Sequence, residues 1–360
     1  MIVHLRDTPV VAVDTESDSL HVYFEKVCLV QFSIPGTDYL VDPLAIDVRP
    51  LGDIFATPNQ EKVFHAAEYD IICMKRSFGF TFANLFDTMI AARVLGWPRC
   101  GLGPILHERF GLKINKRMQR YNWGTRPLPD MALEYARLDT HYLLSLRDLQ
   151  ISDLVKTGRL VEAQQAFQRQ VRLESQAREF DPDNFWRIRG ARDLSPNKQA
   201  VLRRLYIFRD GLARTLNLPP FKVASDACLV LLANASPSSR RALERVRGLS
   251  HRLRTRYADQ LLEAIATGLT SPVPLRPHNS GPRLSEPTLS RYEALRSWRK
   301  TVAAARQVEP DVVLPNVTLM DVARKDPSTV EALAQVESLD DWQRETYGQA
   351  LLQMLKEHTP

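Results

Sequence analysis

The spacing of apolar residues changes character along the chain. In the first part it comes in short blocks: "PVVAVDTES" and "KVCLVQFSI", then the shorter "TDYLVDPL" and "KVFHAA". Blocks of this length, rich in Val and bounded by Asp, Gly and Pro, predict strands. From "EYDIICMKRSFG" onward the apolar period is three to four, which predicts a helix closing at Gly79. Further helical segments follow around "DTMIAARVLG" and "DMALEYARLDTHYLLSLRDLQISDLV". Strands first and helices after them predict an α/β domain, a mixed sheet flanked by helices, with the strand that carries Asp14 at its centre.

The second half repeats itself. A shift of 90 positions places Leu205 on Leu295, Arg209 on Arg299, Ala213 on Ala303, Pro220 on Pro310 and Ala233 on Ala323. The match continues without a gap through Leu243 and Leu333, Val246 and Val336, Leu249 and Leu339, and Tyr257 and Tyr347. Each copy carries apolar residues three and four apart, interrupted by Pro, so each predicts a small all-α bundle of short helices. The domains expected are 1–184, 195–270 and 285–360, with the Pro-rich stretch 271–284 as a semi-rigid linker.

Charge alters the picture more than composition does. The chain carries a net +6, unevenly spread: −3 over 1–184, +10 over 185–270 (16 basic against 6 acidic residues) and −2 over 283–360. A cationic segment beside an acidic one suits a polyanion gripped at one place and handled at another. No stretch reaches the roughly 20 apolar residues that span a bilayer, and the N-terminus lacks a signal peptide's apolar centre. The four cysteines are single and scattered, as in a reducing compartment. Cytoplasmic location and no membrane partner are the expectations.

The candidate chemistry begins at "VAVDTESDSL", where Asp14, Glu16 and Asp18 alternate and therefore share one face of a strand. Like charges in that arrangement call for a counter-charge. Asp70 falls in the first turns of the helix after the fourth strand, and Asp139 lies four residues after Tyr135 on one side of a late helix. Four converging carboxylates repel and resist ionisation, whereas two divalent cations neutralise them. Oxygen-only ligands suit Mg²⁺ or Mn²⁺ and argue against zinc. Asp18 is expected to be a turn residue.

"DTESDSL", "HAAEYD" and "EYARLDTHYL", in this order, resemble the three motifs of the DEDD superfamily of 3′–5′ exonucleases. Tyr135, four before Asp139, resembles the Tyr-containing branch; Glu134 stands where the His branch has its His. Together with "NWGTRPL" and two C-terminal segments resembling HRDC domains, the whole chain resembles the ribonuclease D family. The resemblance implies a ribonuclease H-like, DnaQ-like fold followed by two HRDC domains. It implies that Asp14 bridges two metals, that Glu16 and Asp139 complete one shell, that Asp70 holds the other metal largely through water, and that Glu16 and Tyr135 orient the attacking water.

It further implies a 3′–5′ exoribonuclease releasing 5′-mononucleotides. The expected substrate is structured RNA with a single-stranded 3′ end, such as a transfer RNA precursor, in tRNA 3′ processing or RNA turnover. A 3′–5′ DNA exonuclease acting on single-stranded DNA is the alternative, as is a non-catalytic nucleic-acid-binding adaptor on the same fold; the presence of all four carboxylates and Tyr135 weighs against the latter. Leu20 matches the position that wedges against a terminal base in related proofreading enzymes. His65 and Arg126 are candidate substrate contacts, Arg126 with Lys116, Arg117 and Arg120, although His65 fits a local backbone role better. Asn122 stands where the family commonly has Asp. Asp87 is expected to cap a helix. Arg245, Arg247, Arg252 and Arg254, in the basic repeat, are the expected RNA grip, while repeat two, with Asp340, Asp341 and Glu345, is expected to pack against the catalytic domain or shape its entrance.

Overall fold

Val10–Ser17 forms β1, the middle strand of a five-stranded sheet. The computed structural model describes residues 1–114, 116–175, 179–276 and 284–358. After a short helix α1 (Ile2–Arg6) and β1 come β2 (Val27–Ile34) and β3 (Thr37–Val41), then α2 (Gly52–Ala56), β4 (Glu61–Phe64), α3 (Glu68–Phe78), β5 (Leu85–Asp87) and α4 (Thr88–Val94). The strand order is β3-β2-β1-β4-β5. Strands β2 and β3 are antiparallel, with Val30 opposite Val41; β1 and β4 are parallel, with Val10 opposite Glu61, and β4 and β5 are parallel. Helices α5 (Leu102–Phe110), α6 (Asp130–His141), α7 (Leu143–Lys156) and α8 (Leu160–Val171) complete this region.

Local chemistry sets these limits. Gly79, at φ 70°, takes the left-handed conformation that ends α3 and returns its N–H to the Lys75 carbonyl. The long run from Asp130 divides into α6 and α7 at Tyr142, which has a terminal-turn conformation. Strand β5 is three residues long, too short for a period to show, and its recognition needed β4 as a partner. The core is built from both sheet faces and includes Val11, Val13, Val30, Phe32, Val63, Phe64 and Ile71.

The two repeats fold alike. Repeat one has α9 (Pro196–Leu216), α10 (Pro220–Val223), α11 (Asp226–Ala235), α12 (Arg240–Leu243), α13 (His251–Thr255) and α14 (Ala258–Thr270). Repeat two has α15 (Glu286–Arg306), α16 (Pro310–Val313), α17 (Asn316–Lys325), α18 (Val330–Leu333) and α19 (Asp341–His358). Matching positions Leu205 and Leu295, Leu243 and Leu333, and Leu261 and Leu351 are all buried. The shared arginines do the same work: Arg209 donates to the Ala224 carbonyl and Asp226, and Arg299 to the Leu314 carbonyl and Asn316. These buried guanidinium groups tie the long first helix of each repeat to the chain that follows. Part of the linker, residues 277–283, lies outside the described residues.

The chain forms two compact units. The first joins the sheet region to repeat two, and the second joins repeat one to residues 17–26, an excursion between β1 and β2. Within the first unit, Arg93 pairs with Asp311 at 2.6 Å, Arg306 with Glu162, and Arg169 with Asp340, while Val312 packs against the sheet core. At Gly96 (φ 76°), an added Cβ would stand 2.4 Å from the Gln307 carbonyl oxygen. Gly96→Ala should therefore cost about 1–3 kcal/mol of strain and also push repeat two away. Gly36 supplies the control, because it shares the positive φ (77°) and has nothing within 4 Å of a Cβ. In denaturant titrations Gly96→Ala should lose clearly more than Gly36→Ala; equal losses would show that the contact with Gln307 carries no weight.

Candidate active site

Strand β1 brings Asp14 and Glu16 to one face because strand side chains alternate. Helix α6 packs across β2 and β3 and presents Asp139 to the same place. Ligand oxygens of Asp14, Glu16 and Asp139 lie within 4.8 Å of one another. Asp70 arrives differently, from the first turn of α3 directly after β4, the parallel neighbour of β1. It is 6% exposed and accepts hydrogen bonds from the Thr15 hydroxyl and N–H. The carboxylates thus collect at the C-terminal half of β1, past the end of its parallel neighbour β4, the side of the sheet on which open α/β folds place their ligands.

Burial and mutual repulsion hold protons on this cluster. Burial, followed by the charges of Asp139 and Asp70, pushes Glu16 up to about 9. Burial pushes Asp70 to about 7 against the Thr15 hydrogen bonds, and Asp139 to about 7 against the hydroxyl of Tyr135. Asp14 is raised well above the carboxylate range by burial and then by Asp70, Asp139 and Glu16. All four donors are carboxylate oxygens, and the charges acting on Glu16 are negative. This set fits hard divalent cations.

A stability consequence follows. Acids with raised pKa values leave the folded chain holding more protons than the unfolded chain, so without metal the cluster erodes stability as pH rises from about 4 through about 9. Glu16→Gln removes one such group. In chelator, its melting temperature relative to the parent should be more favourable at pH 8.5 than at pH 5.5, and added Mg²⁺ or Mn²⁺ should stabilise the parent more at the higher pH. A difference independent of pH would mean that Glu16 titrates normally.

Tyr135 stands over the cluster. Burial and then the carboxylates of Asp139, Glu16 and Asp14 drive its pKa far up, so its hydroxyl stays a donor. It donates to Asp139 and also bonds the side chain of Gln119, from the short turn Lys116–Arg120. Its ring lies 6.2 Å from that of Trp123, which is fully buried with Leu29, Ala132 and Ala136. Thr15 and Gln119 escaped the sequence pattern. Strand alternation sends Thr15 away from Asp14 and Glu16, and Gln119 has only its position beside a turn.

Several expected substrate residues do other work. His65 bonds the Thr88 hydroxyl through Nδ1 at 2.8 Å, and burial pushes it down to about 4, so it is neutral and held locally. Asp87 caps α4 through Met89 and Ile90, as expected, and also accepts the N–H groups of Ala66 and Ala67. That fixes the turn, with Ala66 at φ 63°, from which α3 and Asp70 emerge. Arg126, expected to contact phosphate, uses all five donors inside the protein: two on Asp42 and one each on the carbonyls of Cys28, Trp123 and Thr125. It is a clamp between β2, the β3 end and the Trp123 loop. Arg117 and Arg120 are exposed, and the Lys116 side chain lies outside the described residues. Asn122 accepts the Gly124 N–H.

The remaining candidates belong to the second unit. Leu20 is 41% exposed on the 17–26 excursion, and Asp18 is buried there as a turn residue that accepts the Lys26 N–H. Arg245, Arg247 and Arg252 are exposed, whereas Arg254 is half-buried beside Cys228, with its Nε buried.

Residues 1–150 match the family model described as 3′-5′ exonuclease, and residues 198–265 and 288–355 each match the HRDC domain. Ribonuclease D of Bartonella henselae is 28% identical over 98% of this chain and 86% of its own length. The catalytic core of RRP6 from Trypanosoma brucei is 29% identical, with a TM-score of 0.67 over 75% of this chain and 77% of that one. Escherichia coli RNase D, 24% identical, shares the fold with a TM-score of 0.67 over 100% of this chain and 96% of that one.

Proposed function

The chain belongs to the ribonuclease D family, a 3′–5′ exonuclease with two HRDC domains, and from that premise we propose how its residues divide the work. It is a hydrolytic 3′–5′ exoribonuclease. The observation that carries the assignment of residues is the convergence of Asp14, Glu16 and Asp139 within 4.8 Å, with Asp70 acting on them electrostatically.

Two divalent ions, Mg²⁺ or Mn²⁺, would be held by the carboxylates of Asp14, Glu16, Asp139 and Asp70. When bound, such ions neutralise the carboxylates and polarise both the phosphodiester and the water that attacks it. The chain's own groups do the rest. Tyr135, kept protonated and fixed by Asp139 and Gln119, orients the attacking water by hydrogen bonding, with Glu16 as the acceptor that aligns it. Asp87 and Thr15 hold Asp70 in place. Arg245, Arg247 and Arg252 grip the RNA backbone outside the catalytic domain, and Leu20 meets the terminal base.

The substrate is structured RNA with a single-stranded 3′ tail, such as a transfer RNA precursor, met in the cytoplasm. The solved RNase D of Escherichia coli is described as an exoribonuclease involved in structured RNA processing, which supports this choice. A 5′-labelled hairpin with a single-stranded 3′ tail, beside a DNA copy, tests it. Stepwise shortening of the tail with release of 5′-mononucleotides, faster on RNA, is expected; internal cuts, or faster trimming of the DNA, would refute it.

A further inference from the structure

Ser17–Lys26 continues directly from the strand that bears Asp14 and Glu16, yet it folds with repeat one rather than with the sheet region. Its base is closed by Asp18, 1% exposed, which accepts the Lys26 N–H at 2.9 Å through its side chain and the N–H groups of His21 and Val22 through its carbonyl. Its tip is closed by Tyr23. The Tyr23 hydroxyl donates to Asp210 at 2.7 Å, its N–H donates to the Asn217 side chain at 3.1 Å, and the Arg214 guanidinium lies 5.4 Å over its ring while donating to its hydroxyl. All three partners sit at the C-terminal end of α9, where Asn217 takes a left-handed capping conformation.

The repeat supplies an independent comparison. In repeat two the positions corresponding to Asp210, Arg214 and Asn217 are Lys300, Ala304 and Gln307, which offer no such socket. There the same helix end presents the Gln307 carbonyl to Gly96. Each copy thus uses the end of its long helix to seat a different piece of chain, and only repeat one is equipped for a tyrosine. The segment so held displays Leu20 and Phe24, 41% and 66% exposed, large apolar groups that the segment's own folding leaves uncovered.

We propose that Tyr23 is a positioning residue: anchored on α9 by Asp210 and Asn217, it sets the placement of Leu20 and Phe24 for the terminal bases of the RNA. Flat and branched apolar side chains of this kind suit unstacked bases, which every sequence offers. The proposal rests on the exoribonuclease reading, so its test includes a readout that needs no catalysis.

In the full chain, Tyr23→Phe and Asp210→Ala should each speed amide hydrogen exchange across 18–26 by about tenfold, with the interior of α9 unchanged. On tailed RNA both should lower kcat by about tenfold, within the roughly hundredfold that misplacement can cost, and leave KM and the salt dependence of binding unaltered. The double variant should be no worse than either single one, and Asp210→Asn, which keeps an acceptor for the hydroxyl, should behave as the parent. Unchanged exchange in Tyr23→Phe overturns the anchor. Faster exchange with parental kcat, or equal losses in kcat and KM with a lowered melting temperature, overturns the positioning role. If the parent itself fails to trim RNA, the exoribonuclease reading falls, and the exchange result still upholds or overturns the anchor.

Discussion

Asp14→Asn should lose more than about a thousandfold in turnover while remaining folded. Removing one preorganised group that meets transition-state charge costs on the order of 10²–10³, and the family resemblance implies that Asp14 serves both ions at once, so its loss compounds. Folding should not suffer. Asp14 is buried among Asp70, Asp139 and Glu16, and each of these raises its pKa; a neutral amide of the same shape removes repulsion. In chelator at pH 8 the variant should melt at or above the parental temperature. Tyr135→Phe gives the contrast: it deletes one hydroxyl and little surface, so kcat should fall and KM hold. Substantial activity in Asp14→Asn would remove that residue from the site, and an equal fall in kcat and affinity for Tyr135→Phe would make the tyrosine a packing residue.

Replacing Arg245, Arg247 and Arg252 with Ala should flatten the dependence of log affinity on log salt by about two units, since each phosphate contact on a single strand contributes roughly 0.7. Arg254 is left out because its half-buried side chain would confuse binding with folding. Short oligonucleotides that reach only the catalytic domain should be cleaved as before. Repeat two is not expected to share this task. The positions matching Arg245, Arg247 and Arg252 are Gln335, Glu337 and Trp342, and its charged residues Asp311 and Asp340 are paired with Arg93 and Arg169. Arg296→Ala with Lys300→Ala, both exposed on repeat two, should therefore leave the slope nearly parental. The opposite pattern would show that net charge had misidentified the gripping domain.

Periodicity made β1, β2, the helix ending at Gly79 and both repeats legible, because each depends on local spacing and a closing residue. The carboxylates were legible for the same reason: two alternate on a strand, and the others follow recognisable turns. Contacts between distant segments were not. Arg126 looked like a phosphate ligand because its five donors find Asp42 and three carbonyls only when β2, β3 and the Trp123 loop come together. His65 carries no sign in sequence of the Thr88 hydroxyl beside it. Tyr23 reads as an ordinary loop aromatic until α9, nearly 190 residues later, supplies its acceptors.

The assignment of the four carboxylates to metal is tested most directly by the number of Mn²⁺ ions bound per chain at pH 8, titrated with an oligonucleotide whose terminal linkage resists hydrolysis. The parent should bind two ions and Asp14→Asn at most one, with trimming that tracks occupancy of the second. A parent that binds none, or that trims RNA fully in chelator, would contradict that assignment.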